Sequence, residues 1–171
     1  MKNVLVLYKS KTGFSEQYAR WIAEELECDL QDLRSFEKSN LENYSLIVYG
    51  GGLYAGVING IGKVKRWMRE HPQKTWVVFA TGATPDKQHY EELIFKTNFR
   101  KGEVRPSHFY YLLSGLNYER MGLLNRLLMS LFARIAAKKQ GTNLPQKQTS
   151  VDLSSRSYME DLLRYVRLKA R

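Results

Sequence analysis

The stretch "VLVLYKSKTGFS", residues 4–15, joins an apolar run to a loop with three hydroxyl side chains and one glycine. Residues 4–8 predict a strand, because the run is aliphatic and rich in valine. Residues 14–27 predict a helix that carries Tyr18 and Ile22 on one face. A strand that ends in small polar residues and continues as a helix presents unpaired backbone N–H groups and the positive end of a helix dipole. The junction therefore predicts a loop that holds an anion.

Short apolar runs and helical patterns alternate along the rest of the chain. Further strands are predicted at residues 28–33, 46–49, 76–80 and 109–113, and further helices at residues 61–70, 86–97 and 155–169. Nearly continuous apolarity is typical of parallel strands covered on both faces. The pattern predicts one α/β domain over residues 1–171, a doubly wound five-stranded parallel sheet with helices on both faces.

Three loops follow strands that end at the same edge of such a sheet, where ligands bind. The first loop is residues 9–15, the second is the glycine-rich segment 50–56, and the third is residues 81–86. Hydroxyl groups offer donors, and glycines let the backbone approach a ligand closely. The candidate ligand-contacting residues are Ser10, Lys11, Thr12, Gly13, Phe14, Ser15, Gly52, Leu53, Tyr54, Ala55, Gly56, Thr81, Gly82, Ala83, Thr84 and Asp86.

The segment "SKTGFS" resembles the [ST]-x-T-G-x-[ST] phosphate loop of the flavodoxin-like flavoproteins. The resemblance covers residues 1–114 and the last helix. It implies that FMN is the cofactor, that the first loop holds its phosphate without an arginine, and that the second and third loops flank the isoalloxazine ring. The third loop lacks an aromatic residue, so ring stacking is expected from Tyr54 and Leu53. His108 and Asp86 begin a strand and a helix, and we expect either of them to face the flavin edge.

The chain is strongly basic, with 27 Lys and Arg against 17 Asp and Glu, a net charge of +10. Flavodoxin-like electron shuttles are typically acidic, which disfavours an anionic reduced flavin and keeps the redox potential low. Positive surroundings stabilise that anion. The composition therefore leads to the hypothesis of a higher potential, suited to a quinone-like acceptor.

A helical insertion is predicted within residues 115–140, with the helix beginning near residue 121. A basic stripe of Arg126, Arg134 and Lys138 runs along a largely apolar surface. Two interpretations stay open. The helix packs against the domain or a second subunit, or it lies at an anionic membrane through residues 121–139, with the stripe contacting lipid or substrate.

Length, charge and insertion together resemble the menaquinone-dependent protoporphyrinogen dehydrogenases. That resemblance implies an FMN-dependent oxidoreductase of heme biosynthesis that passes electrons from a reduced tetrapyrrole to a membrane quinone. It also implies a cytoplasmic protein, peripheral on the inner face of the cell membrane. The alternatives are a flavodoxin-type electron carrier or quinone reductase, a flavin-free relative, and a non-enzymatic basic module that binds anionic membrane or nucleic acid. Nucleic acid is disfavoured because no RNP-type or zinc-ligand spacing is present.

No side chain is predicted as a catalytic residue or metal ligand, since the flavin would carry the reaction. The single Cys28 excludes an internal disulfide, and we expect it to be structural. The sequence contains no run of about 18 apolar residues and no secretory pattern at residue 1, so we expect neither secretion nor a membrane span.

Overall fold

The central sheet contains five parallel strands, as the sequence predicts. The strands in chain order are β1 (Val4–Lys9), β2 (Asp29–Asp32), β3 (Leu46–Tyr54), β4 (Val57–Ile58), β5 (Thr75–Gly82), β6 (Phe109–Leu113), β7 (Gly115–Leu116) and β8 (Val151–Asp152). The parallel order is β2-β1-β3-β5-β6, β4 pairs antiparallel with β3, and β7 pairs antiparallel with β8. The point where the strand order reverses lies between β1 and β3, which places the ligand edge beside the first loop.

This computed structural model describes residues 3–117, 119–120 and 150–170, without the side chains of residues 87–89 and 106. The predicted helix from residue 121 and its stripe of Arg126, Arg134 and Lys138 lie outside the described residues. Among the helices that are described, none is long and apolar enough to cross a membrane.

In the described part of the chain, four α-helices cover the two faces of the sheet. They are α1 (Phe14–Leu26), α2 (Ile61–Glu70), α3 (Lys87–Asn98) and α4 (Glu160–Lys169). Short 3-10 helices occur at Lys38–Asn43, Pro106–His108 and Arg156–Met159. The last predicted helix therefore begins as a 3-10 turn, where the Ser155 side chain accepts a hydrogen bond from the Ser157 N–H.

Alternate residues of the strands pack into two separate hydrophobic cores, one on each face of the sheet. In β1, Val4 and Val6 pack on the face with α1 and α4, while Leu5 and Leu7 pack on the face with α2 and α3. None of these four side chains is more than 1% exposed. Burial on both faces explains the continuous apolar runs in the sequence.

The third strand is longer than predicted, because the glycine segment belongs to it. Gly50 and Gly51 pair with both β1 and β5, and Gly52 pairs with β5. The Phe79 ring lies over Gly50, so a Cβ at residue 50 would fall 1.9 Å from Phe79 Cζ. The predicted end of the strand at residue 49 is therefore wrong, and the second loop is reduced to the turn between β3 and β4.

The first two residues of the predicted insertion, which precede its predicted helix, form a strand. Gly115 and Leu116 pair with Asp152 and Val151 across β7 and β8. The Ser114 N–H donates to Gly82 O, and Leu153 N–H donates to Ser114 O. The chain on each side of residues 121–149 is thereby bonded to the main sheet.

Candidate functional site

The first loop connects β1 to α1 and leaves the helix N-terminus open to an anion. Gly13 occupies the N-cap in a left-handed conformation, with φ of 102°, and makes no side-chain capping hydrogen bond. Its N–H donates to Ser10 Oγ at 3.0 Å, which tightens the loop. The backbone N–H groups of the first turn, with the positive end of the helix dipole, form the donor set that a phosphate group needs.

A buried hydroxyl pair joins the first loop to the third. Ser15 Oγ and Thr81 Oγ1 are 2.8 Å apart, and the two residues are only 2% and 4% exposed. A Cβ on Gly52 would lie 3.4 Å from Ser15 Oγ and 3.7 Å from Thr81 Oγ1. The structure thus brings the three predicted loops together at one point on the α1 face of the sheet.

The second loop is a two-residue hairpin turn between β3 and β4. Ala55 and Gly56 have φ of 48° and 80°, which two-residue turns of the type I′ class require. Before the turn, the Lys11 ammonium lies 4.5 Å from the centre of the Tyr54 ring. Thr12 hydrogen-bonds with Tyr54, and burial raises the pKa of the Tyr54 hydroxyl above its ordinary value. Tyr54 is therefore a neutral aromatic wall next to the first loop.

The structure separates the two predicted stacking side chains. Leu53 and Tyr54 are neighbours in a strand, so they project to opposite faces of the sheet. Leu53 packs against the core on the side of α2 and α3, with its Cδ1 3.2 Å from where a Cβ of Gly82 would lie. Only Tyr54 shares a face with Ser15 and Gly52.

The third loop is held by Tyr111, which the sequence analysis did not single out. Thr84 N–H donates to Tyr111 Oη at 2.9 Å, and the Tyr111 hydroxyl donates to Thr84 O at 3.1 Å. A Cβ on Gly82 would lie 2.8 Å from the same hydroxyl oxygen, so the close contact between Tyr111 and residue 82 requires glycine. Asp86 precedes α3 and is exposed, and Ala83 is half-buried.

Asn98 at the end of α3 anchors the hairpin and was also missed. Ile58 N–H donates to Asn98 Oδ1 at 2.9 Å. Asn98 Nδ2 donates to Gly56 O and to Ile94 O, both at 2.8 Å. The sequence could have indicated this role, because Asn98 stands among apolar positions at the end of the predicted helix. An asparagine that is buried there needs hydrogen-bond partners for its side-chain amide.

His108 lies at the opposite edge of the sheet, and the expectation that it faces the flavin edge is wrong. It precedes the amino end of β6, with Tyr165 Oη 2.5 Å from its Nε2. Burial lowers its pKa, and the charges of Arg105 and Lys169 add to that effect. It lines a cleft of about 630 Å³ whose charged wall residues are Lys65, Arg69, Lys74, Lys101, Glu103, Arg105 and Lys169.

The described part of the chain contains neither an activated cysteine nor a cluster of metal ligands. Burial raises the pKa of the Cys28 thiol to about 11, so it stays protonated. No group of three or more His, Cys, Asp or Glu side chains in that part is placed to hold a metal ion.

The flavodoxin domain family matches residues 5–143 of the chain. The chain belongs to that family. Membership confirms the flavodoxin-like fold, supports FMN as the cofactor and supports a role in electron transfer. A search of curated proteins finds no significant match.

Several solved flavoproteins are similar in structure to this flavodoxin-like chain. Rubredoxin oxygen:oxidoreductase of Desulfovibrio gigas is 13% identical, with a TM-score of 0.49, over 81% of this chain and 37% of that one. This chain therefore spans little more than a third of that enzyme. A WrbA-like flavodoxin of Agrobacterium tumefaciens is 17% identical, with a TM-score of 0.44, over 84% of this chain and 100% of that one. Flavodoxin 2 of Bacillus cereus is 17% identical, with a TM-score of 0.43, over 80% of this chain and 99% of that one.

The residues of the three loops fit FMN. The donor set of the first loop, hydroxyl groups and helix-terminal amides, suits a phosphate. Gly52 lies beside the Ser15 and Thr81 hydroxyls and has no side chain of its own at this position. Tyr54 adds a flat aromatic side chain on the same face, which suits one side of a flavin ring.

Proposed function

We propose that this flavodoxin-family chain transfers electrons through FMN held by the first, second and third loops, with a quinone-class molecule as acceptor. The observation that carries the proposal is the meeting of Ser15, Gly52 and Thr81 at the carboxyl edge of the sheet. FMN, when bound, takes up and releases electrons one or two at a time. The protein supplies binding, orientation and charge.

Each loop has a separate task in this proposal. The amides at the start of α1 and the hydroxyls of Ser10, Thr12 and Ser15 hold the phosphate. Tyr54 forms one wall for the ring. Tyr111 and Asn98 hold the third loop and the hairpin from behind, which keeps both walls in place before the cofactor binds.

Charge near the ring supports the quinone-class acceptor. Lys11 lies over Tyr54, and the whole chain carries +10. Positive charge stabilises an anionic reduced flavin and so raises the redox potential. A higher potential suits donation to quinones better than donation to the low-potential partners of acidic electron shuttles.

The first test is an absorption spectrum of the purified protein after addition of FMN and removal of the excess on a desalting column. We expect retained bands near roughly 370 and 450 nm, the ordinary bands of an oxidised flavin. Thr12→Ala and Ser15→Ala should each weaken FMN binding by about 1 kcal/mol, because each removes one hydrogen-bonding group. A colourless wild-type protein that binds anionic vesicles or nucleic acid would instead favour the non-enzymatic basic module.

A redox titration tests the electrostatic part of the proposal. Lys11→Met should lower the midpoint potential of bound FMN by on the order of 20 mV for a two-electron couple, since the loss of a partly screened charge costs on the order of 1 kcal/mol. Lys38→Met is the matched control, because its ammonium pairs with Glu70 away from the loops. Equal potentials in all three proteins would contradict the role of Lys11.

A more specific proposal is that protoporphyrinogen is the electron donor and menaquinone the acceptor. It is supported by the resemblance of the chain and its predicted basic insertion to the menaquinone-dependent protoporphyrinogen dehydrogenases. With that activity we propose a cytoplasmic protein, peripheral on the inner face of the cell membrane. The test is anaerobic oxidation of protoporphyrinogen by the FMN-loaded protein with a menaquinone analogue. A protein that reduces the quinone from another donor but leaves protoporphyrinogen unchanged would be a quinone reductase or general carrier.

A further inference from the structure

We propose that Arg120 supplies a positive charge to the phosphate end of the cofactor site and selects phosphorylated flavin over riboflavin. The inference rests on the proposed FMN function and deepens it. The sequence predicts a phosphate loop without an arginine, yet Arg120 Nη1 lies 3.1 Å from the point where a Cβ of Gly13 would be. The guanidinium therefore lies directly against the first loop.

Asn117 connects the segment that carries Arg120 to the first loop. Its Nδ2 lies 3.4 Å from Thr12 O, and its Oδ1 accepts a hydrogen bond from Arg120 N–H at 3.0 Å. The preceding strand β7 is paired with β8. One side chain thus contacts the loop and orients the backbone of Arg120 at the same time.

The charges around Arg120 leave its guanidinium available to a ligand. Within residues 3–117, 119–120 and 150–170, no carboxylate forms an ion pair with it. Three carboxylates line the same cavity of about 500 Å³: Glu16 pairs with Arg20 at 2.8 Å, Glu24 pairs with Arg156 at 2.7 Å, and Asp152 accepts hydrogen bonds from Ser154. Each of these three carboxylates thus has a partner other than Arg120.

A phosphate group is the ligand that this arrangement suits. Guanidinium groups bind phosphate with two parallel hydrogen bonds, and the same loop offers the amides of a helix N-terminus. Riboflavin lacks the phosphate and would gain nothing from the arginine. We therefore expect the loss of Arg120 to change the affinity for FMN but not the affinity for riboflavin, although the two ligands share the same ring.

The experiment compares the dissociation constants of FMN and riboflavin for the full-length wild type, Arg120→Gln and Arg120→Lys, by flavin fluorescence quenching at low and high salt. We expect Arg120→Gln to raise the dissociation constant of FMN at least about tenfold, as for a lost hydrogen bond to a charged group. Riboflavin binding should stay within about twofold, since no charge is involved. Arg120→Lys should restore part of the loss, and high salt should reduce the difference between wild type and Arg120→Gln.

Arg20→Gln is the control, because its guanidinium lines the same cavity but is paired with Glu16. Asn117→Ala is a second variant, and it should weaken FMN more than riboflavin, because it frees the backbone of Arg120. Equal losses for the two flavins in Arg120→Gln, or no loss for FMN, would overturn the inference while leaving the proposed function intact. A wild type that binds neither flavin would overturn both.

Discussion

At the scale of single residues, the buried hydroxyls of Ser15 and Thr81 connect stability to the site. They come from different elements, α1 and β5, and meet beside Gly52 of β3. A buried hydroxyl needs a partner, because its transfer from water without a hydrogen bond is costly. The pair therefore holds the first and third loops together without the cofactor.

A double-mutant cycle tests this pair. Ser15→Ala and Thr81→Val should each lower the free energy of unfolding by about 1 to 2 kcal/mol, because each variant leaves the remaining buried hydroxyl group without its partner. The double variant should cost less than the sum of the two, since neither hydroxyl is left alone. Urea unfolding at neutral pH measures the three values. Strict additivity would show that the two groups do not interact.

At the scale of elements, the hairpin of β3 and β4 depends on α3. Two strand residues pair on each side of its turn, Leu53 with Ile58 and Tyr54 with Val57. A short ribbon of this kind is marginal by itself. Asn98 bonds the hairpin backbone at both Gly56 and Ile58, so the helix stabilises the wall that carries Tyr54.

Replacing Asn98 should loosen this wall. Asn98→Ala removes three hydrogen bonds from a residue that is 6% exposed, and we expect a loss of about 2 to 3 kcal/mol in the free energy of unfolding. Amide hydrogen exchange should rise over residues 53–58. Thr97→Ala, next in the chain but exposed, should change stability by less than about 0.5 kcal/mol. Unchanged exchange in the hairpin would contradict the anchoring role.

Helix α4 carries Tyr165, whose contact with His108 predicts a pH dependence of stability. The pKa of His108 lies below its ordinary value of 6.5, because burial disfavours the charged ring. The unfolded chain therefore binds the proton before the folded protein does. This contribution to stability is complete above pH 6.5 and is lost as the pH falls through that value towards the lower folded pKa.

The measurement is urea unfolding at several pH values for the wild type and His108→Gln. We expect the wild type to lose more stability than the variant between about pH 7.5 and 5.5. Tyr165→Phe, which removes the hydroxyl but keeps the histidine, should lower stability and retain a pH slope. The same slope in wild type and His108→Gln would show that other groups cause it.

At the scale of the whole molecule, positive charge lies at both edges of the sheet. The carboxyl edge has Lys11 and Arg120 beside the first loop. The amino edge has a cleft whose wall contains six Lys or Arg residues against the single carboxylate of Glu103. The predicted basic stripe of residues 126–138 would add a third region, so binding to an anionic surface can be assigned only by changing one region at a time.

A pair of charge-matched triple variants separates these regions on vesicles that contain phosphatidylglycerol. Arg126→Glu, Arg134→Glu and Lys138→Glu together should release the protein from the vesicles, because a basic interfacial helix needs its cations. Lys101→Glu, Arg105→Glu and Lys169→Glu make the same change in net charge at the amino edge and should leave co-sedimentation largely intact. Release by both variants alike would point to net charge rather than to the stripe.

The parts of the molecule that could be predicted from the sequence are those that depend on near neighbours. Residues 4–8 are apolar because both faces of β1 are covered, and the hydroxyl-rich loop follows directly in the chain. Gly13, with its left-handed backbone, belongs to the same local pattern. The end of β3 was predicted too early, because Gly50 resembles a loop residue in the sequence, whereas in the fold the Phe79 ring lies over it.

The sequence by itself determined the parallel α/β class, the two-faced burial of the strands and the first loop, since each follows from residues a few positions apart. The tertiary structure alone decided which side chains share a face and what holds the loops. The bonds of Tyr111 to Thr84, of Asn98 to Ile58 and of Asn117 to Thr12 span 27, 40 and 105 residues. Local propensity contains no information on such contacts, because they form only when the sheet order brings distant segments together.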